Sequence, residues 1–234
     1  MPDLAELDAQ ILRLVDARVA AARAEGRGLR PDEEAIVLRA LLDQPRPAAT
    51  SRLVLRLWRA LMAETARPVG VAVWGGTQAL ELAAARFPGS PLKVVQKPED
   101  ALSAARAAGV VGVLALDATT PWWLRLLAEP KLKVFAALPE LAADGDAGAL
   151  AVGDVALEPS GGDDTFWVTD AAASPATIEE ALGRDGLAGR LVSAAGGLKL
   201  FALAGYVQVE DARLARAPGR LSGVIGAAPS PFDL

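Results

Sequence analysis

Arg18 places a cation where its own helix calls for an apolar side chain. Leu4, Leu7, Ile11 and Leu14 recur at heptad spacing, Arg18 takes the next place and Ala21 the one after, and on an α-helix these positions share one stripe. A guanidinium on a buried stripe needs an anion, because stripping a charge of water without compensation costs at least several kcal/mol. That anion is either a carboxylate of the protein or a ligand; snorkelling of the head group from a loosely packed helix end is the third possibility. A second place suited to an anion is Gly75-Gly76-Thr77, where an apolar strand runs into a helix. Backbone amides and a hydroxyl at a helix start can hold a negative group, and glycines there can equally serve only to make a tight turn.

The 234-residue chain contains neither cysteine nor histidine. Their absence removes disulfides, thiolate nucleophiles, imidazole bases and thiolate or imidazole metal ligation. What remains is the chemistry of carboxylates, hydroxyls and guanidiniums, or a reaction that needs chiefly positioning and electrostatic stabilisation. Neither a metal nor a cofactor is expected. A net charge of −5 and a pI near 4.9, with no run of basic residues, argue against a nucleic-acid or membrane-surface partner. No apolar stretch approaches the roughly 20 residues that cross a bilayer, and residues 1–8 carry no signal-peptide pattern, so the cytoplasm is the expected compartment.

These groups need elements to hold them. Apolar periodicity predicts a helix over 4–25 that stops at Gly26 and Gly28, and another over 31–42, with Pro31 in the first turn beside Asp32, Glu33 and Glu34, which complement the helix dipole. A third is predicted over 51–66, with Val54, Leu57, Trp58, Leu61 and Thr65 on one side. Three narrow stripes make a thin core, which calls for completion by the following domain or by a second copy; a homodimer through these helices is the preferred expectation.

From residue 69 onward, short apolar strands (69–74, 92–96, 110–116, 132–138) alternate with helices that begin near Thr77, Pro98 and Pro121, the pattern of a small parallel α/β layer. Residues 142–164 read as a linker containing one possible strand at 150–157. Beyond it, strands at 165–169, 189–193, 198–209 and 223–227 with helices at 175–182 and 211–216 give the βαββαβ order of a ferredoxin-like unit. The expected fold class is therefore multi-domain α and α/β.

Three of these segments resemble known families. Leu7-Asp-Ala-Gln-Ile-Leu-Arg-Leu-Val-Asp-Ala-Arg18-Val-Ala-Ala-Ala resembles the first helix of the all-helical chorismate mutases, whose substrate-binding arginine falls on Arg18. Glu34, ahead of Val37-Leu38, occupies the place of the family's glutamate that bonds the substrate hydroxyl, with Glu33 where the family has an arginine. Thr65 stands at a usual serine, Val69 at a usual glutamine, and Arg27 or Arg30 would replace the loop lysine. Gly75-Gly76-Thr77 and Gly112-Val-Leu-Ala-Leu-Asp117-Ala-Thr119 are similar to segments of prephenate dehydratases, as is Asp163-Asp-Thr165-Phe-Trp-Val; the tail ending Ile225-Gly-Ala-Ala-Pro229 is similar to the ACT domain that follows them.

The resemblance implies a fused, P-protein-like arrangement: a chorismate mutase-like helical domain over 1–67, a shortened dehydratase-like α/β domain over 68–162 and an ACT-like α+β domain over 163–234. It implies the pericyclic rearrangement of chorismate to prephenate, in the shikimate pathway to phenylalanine and tyrosine. Arg18 would bind one substrate carboxylate, Arg27 or Arg30 the other carboxylate or the ether oxygen, Glu34 the hydroxyl and Thr65 a carboxylate. Gly75, Gly76, Thr77, Asp117, Thr119 and Thr165 form a second, weaker ligand-binding set. Such a rearrangement needs no nucleophile, metal or imidazole, which suits the composition. The alternative expectation is a catalytically degenerate protein that binds an aromatic amino acid or prephenate, and the third is prephenate dehydratase.

Overall fold

A computed structural model describes residues 3–26 and 28–233. Three α-helices come first: α1 (Leu4–Glu25), α2 (Pro31–Leu42) and α3 (Ser51–Ala66), the last capped by the Thr50 hydroxyl, which accepts from the Leu53 amide. They are followed by β1 (Gly70–Trp74), α4 (Gly76–Arg86), β2 (Leu92–Val94), α5 (Pro98–Ala105), β3 (Val110–Ala115), β4 (Lys133–Leu138) and β5 (Ala149–Gly153). The chain ends in β6 (Asp163–Thr169), α6 (Pro175–Arg184), β7 (Gly189–Ala195), β8 (Leu198–Ala204) and β9 (Ser222–Pro229). The observed bounds of α1, α2 and α3 coincide with those read from periodicity.

All nine strands join one mixed sheet in the order β2-β1-β3-β5-β4-β9-β6-β8-β7. The expected all-parallel layer is corrected by the pairing: β2, β1 and β3 are parallel neighbours, but β5 inserts antiparallel between β3 and β4. That strand comes from the segment read as a linker with one possible strand at 150–157; it forms over Ala149–Gly153, and every residue of it is buried. Two further expectations change. The helix near Pro121 is a 3-10 helix (Trp122–Ala128), and of the helix at 211–216 only a 3-10 turn at Leu214–Arg216 forms. The last four strands keep the order β9-β6-β8-β7, all antiparallel, with α6 crossing between β6 and β7.

The sheet runs unbroken across the expected boundary at 162–163, because β9 lies parallel to β4 as well as antiparallel to β6. The seam is tight. Gly226 has φ 148°, and a Cβ placed there would meet the Val134 carbonyl oxygen at 2.2 Å, so only glycine allows this approach. Alternating residues of β4 feed two cores: Val134 packs with Trp122, Trp123 and Leu126 on one face, Phe135 with Ala79, Ala83 and Phe87 of the α4 side on the other.

The helices divide in their packing. Leu38 and Leu42 of α2 close on Val54 and Met62 of α3, and the cluster is completed from the sheet region by Leu141 and Phe232. No residue of α1 is buried. The stripe expected to be a buried seam is uncovered by the chain itself, with Leu4 75% and Leu14 71% exposed, and Ile11 and Leu12 likewise open. On α3 the buried set is Val54, Arg59, Leu61 and Met62, whereas the expected Leu57 is exposed.

Candidate functional site

Where α1, α2 and α3 converge, a cleft of about 130 Å³ opens to solvent. Arg18 reaches it from the C-terminal half of α1, Arg30 from the turn before α2, Glu34 from the first turn of α2 and Thr65 from the last turn of α3. Four residues separated by up to 47 positions in sequence thus face one space. Arg27, read as an alternative to Arg30, lies outside the described residues.

Among the described residues, neither Arg18 nor Arg30 has an ion-pair partner. Arg18 is half-buried, its Nη1 is shielded from water, and that nitrogen has no hydrogen-bond partner. No ion pair or side-chain hydrogen bond engages Arg30 among the described residues. Thr65 donates to the Met62 carbonyl at 3.2 Å, the ordinary bond of a helix threonine, and keeps its oxygen lone pairs. Glu25 and Glu33 also line the cleft.

Glu34 has a role that its sequence position did not announce. Its Oε2 accepts from Arg59 Nη1 of α3 at 2.5 Å and from Arg86 Nη2 of α4 at 2.7 Å. Arg59 also grips Glu140, in the loop after β4, through Nε at 2.9 Å and through Nη2. Arg86 Nε lies 3.3 Å from the Glu140 Oε1. Arg59 is 3% exposed and Arg86 5%, so two cations and two anions form a largely buried, neutral quartet. Burial alone would raise the Glu34 carboxyl, but Arg86 and Arg59 outweigh it and hold it below its ordinary value. Burial likewise opposes the charge on Arg59, yet Glu140 and Glu34 hold it above its ordinary range. Glu34 is therefore an ionised acceptor, unable to donate a proton near neutrality.

Arg59, Arg86 and Glu140 were not read from the sequence as functional. Arg59 lies off the apolar stripe read for α3, on the face it shares with Arg52 and Arg56, so no local signal marked it.

The second expected set divides: the Gly75 turn packs against the end of β3, two residues before Asp117, whereas Thr165 lies apart in β6. Gly75 caps α4 with φ 117°, and a Cβ there would fall 2.1 Å from that of Ala115, so it serves close packing of the turn on β3. Gly76 and Thr77 open α4 at the surface. Asp117 Oδ1 accepts from the Thr119 amide (2.8 Å), the Thr119 hydroxyl (2.9 Å) and the Thr120 amide (2.6 Å), folding its own loop. Partial burial would raise this carboxyl; those bonds prevail and lower it. Thr165 is fully buried in β6, donating to the Gly205 carbonyl at 2.7 Å and accepting from the Val207 amide at 2.8 Å. Strands β5, β4 and β9 stand between its strand and β3.

No protein-family model matches this sequence, and no curated protein matches it. Among solved structures the chain is similar to GqqA, a novel type of quorum-quenching acylase, at 16% identity and a TM-score of 0.45, covering 68% of this chain and 94% of that one. It is similar to the prephenate dehydratase of Streptococcus mutans (13% identity, TM-score 0.41, 70% of this chain and 100% of that one). It is also similar to that of Arthrobacter aurescens in complex with L-Phe (12%, 0.41, 69% and 90%). At this level the likeness is one of partial backbone path and says nothing of activity. No helix among the described residues is long and apolar enough to cross a membrane.

Proposed function

We propose that the cleft between α1, α2 and α3 binds chorismate and promotes its rearrangement to prephenate. The observation that carries this reading is the buried, unpartnered Nη1 of Arg18, facing the same space as Arg30, Glu34 and Thr65. Arg18 and Arg30 would each take a carboxylate of the substrate, Glu34 would accept from its hydroxyl, and Thr65 would complete a carboxylate's hydrogen bonds. The work is positioning: clamping both ends of a flexible substrate in the compact conformer removes much of the entropic part of the barrier. Guanidiniums beside the breaking ether bond stabilise the charge that develops there.

A homodimer formed through α1 belongs to the same proposal, supported by the uncovered apolar stripe on that helix. The test is loss of chorismate absorbance in the ultraviolet with purified protein. Arg18→Ala should slow it by at least about 100-fold, the usual scale for removing one positioned charge, with the melting temperature unchanged; equal rates in variant and parent would end the assignment.

One observation favours the second reading, a binder without turnover. Glu34 Oε2 is already bonded to two arginines, which leaves less of that carboxylate to accept from a substrate hydroxyl, and Glu33 also lines the cleft. Under that reading chorismate, prephenate, phenylalanine or tyrosine raises the melting temperature with no reaction. A dehydratase reading would need Thr165 beside Asp117, and three strands separate their elements.

A further inference from the structure

The quartet is a wall shared by two cavities. Glu34 lines the Arg18 cleft, while Arg59, Arg86 and Glu140 line another cavity, of about 110 Å³, between α3, the C-terminal turn of α4 and the loop after β4. Its floor is apolar, built from Leu55, Leu82, Leu138 and Leu141. Its charged side is mostly arginine. Arg52, Arg56 and Arg59 recur at i, i+4 and i+7 along α3, which puts them on one face of that helix, and Arg86 joins them from α4.

The local charges do not balance. Arg52, Arg56, Arg59 and Arg86 meet three connected carboxylates, Glu34, Glu140 and Asp144. Glu34 and Glu140 are held by Arg59 and Arg86, and Asp144 pairs with Arg52. Arg56 is left without a partner among the described residues. A second observation lies deeper: the Nε of Arg86, a side chain 95% removed from solvent, has no hydrogen-bond acceptor, since the Glu140 oxygen 3.3 Å away pairs with it without the alignment of a bond. A buried N–H in that state is destabilising until an oxygen meets it.

We propose that this cavity is a binding site for a small oxyanion, a carboxylate or phosphate group with at most a short apolar body, held by the guanidiniums of Arg52, Arg56 and Arg86. Planar guanidiniums match the two oxygens of such a group in pairs, which a halide cannot exploit. The proposal is independent of the mutase reading, because it concerns different arginines and is read by binding alone. Because Arg59 and Arg86 also hold Glu34, an occupant of this cavity acts on the far side of α2 and α3 as well.

The experiment titrates inorganic phosphate and, separately, malonate into the full-length protein at constant ionic strength set with sodium chloride, and follows melting temperature and heat of binding. At least one of the two ions binds with a Kd of about 1 mM or tighter. The double variant Arg52→Ala/Arg56→Ala, which changes only exposed side chains, weakens that binding by tenfold or more, and Arg18→Ala binds as the parent does. Phosphate alone binding identifies a phosphate group as the ligand, and malonate alone a carboxylate. The site is refuted if neither ion does more than chloride, or if the double variant binds as tightly as the parent. It is equally refuted if Arg18→Ala, and not the double variant, abolishes the binding, since the ion would then sit in the other cleft.

Discussion

Two sets of polar residues stood out in the sequence, and the fold treats them in opposite ways. Around Arg18 the side chains come from three helices and the turn before α2, and Arg18 and Arg30 find no ion-pair partner among the described residues. Around Asp117 and Thr165 every side-chain oxygen with a described bond is occupied by nearby backbone or by a neighbouring hydroxyl: a loop folded on its own carboxylate, and a strand threonine bridging Gly205 to Val207. A carboxylate or hydroxyl whose bonding capacity is filled locally is a device of folding. A half-buried guanidinium nitrogen with nothing to bond is an incomplete arrangement, and a ligand is one way to complete it.

The largest expected effect belongs to Glu34, the acidic member of the first set. Glu34→Gln removes one anion from a buried quartet and should cost about 3–5 kcal/mol of stability near pH 7, measured by urea unfolding. Because its carboxyl is held below the unfolded value of about 4.3, its contribution is complete above that pH and fades as the pH falls through the lower, folded value. The gap between parent and variant should therefore narrow in acid; a gap that is the same at pH 7 and pH 3 would show that Glu34 is not held ionised.

A smaller loss, about 1–3 kcal/mol, is expected for Thr165→Val, which leaves the Val207 amide and the Gly205 carbonyl without their bridge. Activity per folded molecule should not change, and a selective loss of turnover would return Thr165 to a substrate-binding role. The smallest effect belongs to Asp117→Ala, in a partly exposed loop, at about 1 kcal/mol or less with chorismate consumption intact. A large loss of activity there would erase the contrast between the two sets.

How much was legible depends on how far the deciding contacts reach. The bounds of α1, α2 and α3 follow from signals within one turn of each end: Pro31 at a helix start, Gly26 at a stop, Thr50 as a cap. Local pattern marked Arg18, and it was the family resemblance that grouped it with Glu34, Thr65 and either Arg27 or Arg30 before any fold was known. Strand β5 was legible only as one possible strand at 150–157, because Ala149–Gly153 is apolar with no alternation to mark its bounds, and its place in the sheet could not be read because it depends on partners in β3 and β4. The quartet escaped for the same reason. Arg59 and Glu140 are 81 residues apart, and nothing near either residue names the other.

Strand β9 follows all eight strands that it joins into one sheet, and Gly226 fits it against β4 with no room for a side chain. On the ribosome, the first five strands must therefore wait with one flank of β4 unpaired until the tail emerges. Any nascent chain stalled before β9 is made presents a bare backbone edge to its neighbours, and the risk of aggregation persists until that strand docks.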